Sequence, residues 1–246
     1  MLSVNVPRSR TAFYIFLALI LVFNIGVIAL FDLETSRFTR LATVFAFCVY
    51  YSVNKKILNI WTVSALTLLF IRDIFFQFYE QGWGYKFYLI FGTLFYLTVV
   101  FERLPKFSEL KFKPGVVLVT SLLVALNTYT LYIIMNMQMV TYTFHDNLEP
   151  ILFYIYGAAM MVLGVQAILY NNKYNSNRSL LYIFFAFGFI FSDIAALFAY
   201  YFEFDLFYFF DRFFFIVATG LLVKYGLNFE SVKEEYFQYE MIDKKL

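Results

Sequence analysis

The chain has 246 residues, 62% of them hydrophobic, 24% aromatic and only 15% charged, with a formal net charge of +2. Soluble domains carry about 45–50% apolar and about 25% charged residues, so this composition, with a mean hydropathy of +0.72, excludes an ordinary soluble domain and points to a polytopic membrane protein. The small net charge, with no basic stripe or interleaved aromatic platform, argues against a nucleic-acid partner.

Cys48 and His145 are the only residues of their types. One cysteine cannot form an intramolecular disulfide or a thiolate cluster, and one histidine cannot form a His-pair metal site. No metal or other cofactor is expected. Chemistry is left to carboxylates, hydroxyls, amides, Arg and Lys.

Eight apolar segments follow in chain order, at roughly 12–31, 38–53, 57–79, 84–101, 115–135, 150–170, 179–202 and 205–227. They are too long and too uniformly apolar for the strands of an outer-membrane barrel. Helices are the other backbone that satisfies its own hydrogen bonds in lipid. The first segment follows Arg8 and Arg10. It exceeds the ~7–15 residues of a signal-peptide core and lacks an A-x-A-like site, so it reads as an uncleaved first helix. The second is the shortest. The third contains Asp73, in ILNIWTVSALTLLFIRDIFFQFY.

After the fourth, the loop FERLPKFSELKFKPG divides one transmembrane domain (1–227) into halves at 12–101 and 115–227. The seventh segment, LLYIFFAFGFIFSDIAALFAYYF, holds Asp193, and the eighth meets Asp211 and Arg212 in its first turns. The cytoplasmic tail, 228–246, places Phe229, Val232, Tyr236 and Tyr239 at helical spacing, which fits either an amphipathic surface helix or a solvated tail.

Lys and Arg counts set the orientation. With the N-terminus inside, fourteen cations fall in cytoplasmic segments, against Arg37, Arg40 and Lys86 outside. The expected fold is thus an all-α polytopic bundle of eight transmembrane helices, N-in and C-in, with a parallel 4+4 repeat as a possibility. The localisation that fits is a bacterial cytoplasmic membrane.

An intramembrane carboxylate costs about 2.5–3.5 kcal/mol on insertion scales and is a functional hypothesis by default. Asp73 lies about 16 residues into its helix and Asp193 about 14 into its own. At ~1.5 Å per residue the two share a depth beyond the midplane. Arg72, Asp211 and Arg212 join them in the same band. Adjacent helix positions do not face each other, so pairing is expected between helices, for instance Arg212 with Asp193 or Asp73, rather than Arg72 with Asp73. A structural ion-pair cluster and an active site fit these charges equally well. Ser192, about 100° around the helix from Asp193, reads more readily as a packing residue than as a nucleophile.

The stretch FGFIFSDIAALFAYY, followed by FFFIVATGLLV, resembles the lysoplasmalogenase-like (YhhN) family of eight-helix membrane proteins. That family shows a Phe, two residues, then Ser-Asp in its seventh helix, as Phe189, Ser192 and Asp193 do here. Its sixth helix carries a Pro, a Tyr four residues on and a later Met, matched by Pro150, Tyr154 and Met161. Four positions differ: Arg72 replaces the glycine before the first aspartate, FGTLFYLTVVF lacks the fourth helix's histidine, and Phe215 and Thr219 stand for a Tyr–Gln pair.

The resemblance implies a membrane-embedded hydrolase that cleaves the vinyl-ether bond of lysoplasmalogens, with Asp73 and Asp193 as the catalytic carboxyls. Arg72, Arg212, Ser192 and Tyr154 are then the substrate-binding candidates, and a membrane lipid is the partner. Two coupled carboxyls can split their protonation states, one to donate a proton and one to stabilise a cation. Two other readings remain open. One is a non-catalytic, degenerate family member acting as a lipid-binding or assembly subunit, with protein partners or a second copy in the membrane. The other is a small transporter.

Overall fold

The structure is a computed structural model that describes residues 10–54, 59–104, 114–136, 144 and 146–227, so the tail and His145 lie outside the described residues. Among the described residues there are eight helices: α1 (Arg10–Leu30), α2 (Leu33–Asn54), α3 (Ile60–Phe76), α4 (Gly82–Arg103), α5 (Pro114–Asn136), α6 (Leu148–Tyr174), α7 (Asn177–Tyr201) and α8 (Leu206–Leu227). No strand occurs among the described residues. Six of these helices, all but α2 and α3, are long and apolar enough to cross a membrane.

Local signals place the helix ends. Asp32 accepts from the Thr35 backbone at 2.9 Å and opens α2. Asn59 caps α3 by accepting from the Trp61 backbone, and Asp146 accepts from the Leu148 backbone at 3.0 Å to start α6. Asn175, left-handed at φ 41, closes α6, and Ser176 with Ser179 forms a capping box that starts α7 immediately. Short connections of this kind fold neighbouring helices antiparallel.

The helices form a ring in the order α1, α2, α3, α4, α6, α7, α8, closed by α8 against α1, with α5 packed outside against α6. Helix α8 also touches α2 and α3. Small residues let α7 and α8 approach closely: a Cβ on Gly188 would lie 2.9 Å from the Ala218 Cβ. That is how membrane helices gain packing without a hydrophobic driving force between them.

The polarity of the bundle is inside-out. Leu19, Val22 and Phe23 are 66%, 71% and 65% exposed, whereas Arg40, Arg72 and Asp73 are fully buried. Such extensive exposed apolar surface would drive a water-soluble monomer to aggregate. With six membrane-length helices, it makes the chain an integral multi-pass membrane protein.

Helix α2 corrects the sequence reading. It begins at Leu33 rather than at 38, so Arg37 and Arg40 are not in an outer connection but inside the bundle. Its buried residues Ser36, Arg37, Arg40, Thr43, Val44, Phe47 and Tyr51 recur at helical spacing, while Phe38, Phe45 and Val53 face outward. The polar face of this amphipathic helix points inward, which a search for apolar runs truncates.

The close approach of α7 and α8 gives a paired test. Gly188→Leu should destabilise the detergent-solubilised protein by about 1–3 kcal/mol through overpacking. Gly26→Leu, where a Cβ meets nothing within 4 Å, should leave the thermal unfolding midpoint near that of the parent.

Candidate functional site

Five buried charged side chains from four helices alternate in sign. Asp211 of α8 accepts from Arg40 of α2, whose Nη1 lies 2.9 and 3.2 Å from its two carboxylate oxygens. Arg40 Nε then reaches Asp73 Oδ2 of α3 at 3.2 Å. Asp73 Oδ1 faces Arg72 Nε at 3.4 Å, and Arg72 Nη1 lies 3.6 Å from Asp193 Oδ1 of α7. The ladder therefore runs Asp211, Arg40, Asp73, Arg72, Asp193. Ser192 donates to Asp211 Oδ1 at 2.6 Å.

Aromatic rings hold the two guanidiniums. The Arg40 guanidinium stands 3.7 Å from the Phe215 ring centroid, and that of Arg72 lies 5.6 Å from the same ring and 5.3 Å from Tyr88. A desolvated cation over a ring gains about 2 kcal/mol. Gly92 of α4 supplies the room: a Cβ there would lie 2.4 Å from the Tyr156 ring and 3.2 Å from the Arg72 side chain.

Asp193 ends the ladder. Its Oδ2 accepts from the hydroxyls of Tyr96 and Tyr156, and Tyr156 in turn accepts from Arg72 Nη1 at 3.4 Å. Beyond it lies a cavity of about 450 Å³ between α4, α5, α6 and α7, inside the ~300–1,000 Å³ range of ligand sites. Among the described residues Asp193 is the one carboxyl that lines it, and no Lys or Arg does. The wall is otherwise largely apolar, including Leu89, Leu131, Phe153, Met160 and Ile190. Leu126 of α5 and Phe191 and Ile194 of α7 line it yet are exposed, so it opens sideways between α5 and α7 toward the lipid.

The structure brings together some of the residues singled out in the sequence and separates others. Asp73, Arg72 and Asp193 are joined, but only Asp193 lines the cavity. Arg72 does bond Asp73, contrary to the expectation for adjacent positions, with its Nε 3.4 Å from Asp73 Oδ1. Arg212 pairs with neither Asp193 nor Asp73. Its Nη1 donates to Asn24 at 2.7 Å and its Nη2 to Ser36 at 2.8 Å. Tyr154 is exposed on the outer surface of α6, and neither it, Ser192 nor Arg212 is among the cavity-lining residues.

Arg40, Tyr96 and Tyr156 were not foreseen. The face of α6 that recurs as Phe153, Tyr156, Gly157, Met160 and Gly164 is buried and includes Tyr156 but not Tyr154. That periodicity was present in the sequence.

A second polar layer ties the opposite end of the bundle. The Tyr225 hydroxyl donates to Glu102 at 3.0 Å and accepts from Arg103 Nε at 2.7 Å, while Asn59 donates to Glu102 at 3.4 Å.

No protein-family model, curated protein or solved structure matches this chain.

Removing one member of a buried ion pair costs about 3–5 kcal/mol because the partner charge is stranded. Arg40→Met should therefore destabilise strongly in a thermal or denaturant unfolding assay. The double variant Arg40→Met with Asp211→Asn should recover part of that loss, since one stranded carboxylate is removed.

Proposed function

We propose that the chain is a membrane-embedded lipid hydrolase that cleaves the vinyl-ether bond of a single-chain alkenyl lysophospholipid, as its resemblance to the lysoplasmalogenase-like family implies. The observation that carries this reading is the Asp193 carboxyl, buried at the end of a charge ladder yet lining an apolar cavity open to lipid. A carboxyl placed there meets a lipid without the lipid leaving the membrane.

The reaction needs few groups. A carboxyl proton adds to the outer carbon of the C=C–O unit, and the electron pair of the double bond forms the new C–H bond. The carbon attached to oxygen becomes an oxocarbenium ion. Water attacks that carbon and loses a proton to the carboxylate. The hemiacetal then collapses to a fatty aldehyde and the free glycerol hydroxyl of the glycerophospho-base. Asp193 can give the first proton and, as carboxylate, take the later one, an acid–base role worth about 10²–10⁴ in rate. Asp73 acts from behind by fixing Arg72, which lies against Asp193 and Tyr156. The same reading keeps the N-in, C-in orientation, because with Arg37 and Arg40 withdrawn into the bundle Lys86 is the remaining cation counted outside.

One observation favours a second reading, a lipid-binding component without turnover. Asp73 is fully buried between two guanidiniums and has no face on the cavity.

Aldehyde release from an alkenyl lysophospholipid by purified protein decides between them. The hydrolase reading predicts turnover by the parent chain and at least a roughly hundredfold loss in Asp193→Asn. Lipid retained through purification without any aldehyde release would instead establish the binding role.

A further inference from the structure

The cavity has a polar end that the catalytic reading leaves unused. Along α7 its lining runs from Phe187 to Tyr201, a span of roughly 21 Å at 1.5 Å per residue. Asp193 lies eight residues before Tyr201, about 12 Å along the helix. On the far side of Asp193 the α7 wall consists of Phe187, Ile190 and Phe191. At the Tyr201 end three phenols converge from separate segments: Tyr79 from the α3–α4 turn, Tyr85 from the first turn of α4 and Tyr201 from the last turn of α7.

Their hydroxyls form a chain. Tyr79 donates to Tyr201 at 3.3 Å and Tyr201 donates to Tyr85 at 2.8 Å. The Tyr85 hydroxyl ends it, with no acceptor for its own hydrogen among the described residues. The charged groups at this end are already engaged, Lys86 with Asp146 and Arg37 with Glu80. A lipid threaded along the slot therefore meets a chain of neutral hydroxyls at one end, with Tyr85 left to donate and the phenol oxygens able to accept, a carboxyl midway and hydrocarbon at the other. That sequence of environments is the sequence of parts in a single-chain amphiphile.

We propose that Tyr79, Tyr85 and Tyr201 form the headgroup subsite, binding oxygen atoms of a glycerol or phosphate head by hydrogen bonds. The ether linkage then falls beside Asp193, and the chain lies between α5, α6 and α7. This assignment rests on the lipid reading of the cavity but not on turnover. It makes Tyr85 and Tyr201 determinants of headgroup preference, separate from the carboxyl that would do chemistry.

The test is binding, with saturated probes that cannot be cleaved as vinyl ethers. Native mass spectrometry on the detergent-solubilised full chain would compare hexadecyl glycerophosphocholine, hexadecylglycerol and hexadecyl methyl ether, which share one chain and differ in head oxygens. The parent should prefer at least one oxygen-rich probe over the methyl ether by roughly three- to tenfold, the effect of one or two net hydrogen bonds. Tyr85→Phe and Tyr85→Phe/Tyr201→Phe should bring that preference toward unity while the methyl ether binds as before. The probe whose advantage is lost distinguishes phosphate from glycerol oxygens. A parent without preference, or a preference that survives both variants, overturns the subsite. Preference that follows the tyrosines in a protein with no aldehyde release would sink the hydrolase reading and leave the subsite standing.

Discussion

Arg40 is the interaction on which the interior depends. It is fully buried and spans two carboxylates, Asp73 on α3 and Asp211 on α8. Without it, two anions would lie at membrane depth with fewer cations than they need, a cost no apolar packing nearby could offset. With it, α2, α3 and α8 are held at one depth, and Asp73 is left with an oxygen to fix Arg72. Arg72 carries the alternation to α7, where Asp193 meets the cavity. Each step fixes the geometry of the next, so the placement of Asp193 follows from a residue on the other side of the bundle.

Helices α3, α4 and α8 converge on Arg72 and the end of the ladder. The Arg72 guanidinium of α3 lies 5.6 Å from the Phe215 ring centroid of α8. Helix α4 supplies Gly92, which leaves room for Arg72 and the Tyr156 ring, and Tyr96, which donates to Asp193. These side chains are mutually accommodating: a glycine leaves space for the bulky cation across from it, and two phenols donate to the carboxylate.

Much of the fold was legible in the sequence because lipid imposes a simple rule. Runs near 20 apolar residues must be helices, and the boundaries of α1, α4, α5, α6, α7 and α8 fall within four residues of those expected. The rule fails for α2, whose inward face carries Ser36, Arg37, Arg40 and Thr43. Scored as an apolar run, its polar first turns look like a loop, and Arg40, which joins two of the ladder's carboxylates, was counted outside the membrane. The aspartates were legible for the opposite reason, since a carboxylate amid Phe and Ile is conspicuous. Their partners were not, because helix adjacency does not fix rotamers or neighbours. Arg72 bonds its neighbour Asp73, and Arg212 bonds Asn24 and Ser36 rather than the ladder. Tyrosine is too common here, at 21 residues, for any one to stand out without the burial period of its helix.

The account joins a charge ladder to a lipid slot through one carboxyl, and an experimental structure with a bound saturated ether lysolipid addresses that junction directly. The chain should lie between α5, α6 and α7, its ether oxygen within hydrogen-bonding reach of the Asp193 carboxyl and its head toward Tyr85 and Tyr201. A slot closed by α5, or lipid held only on the outer surface of the bundle with Asp193 sealed behind Tyr96 and Tyr156, would contradict it.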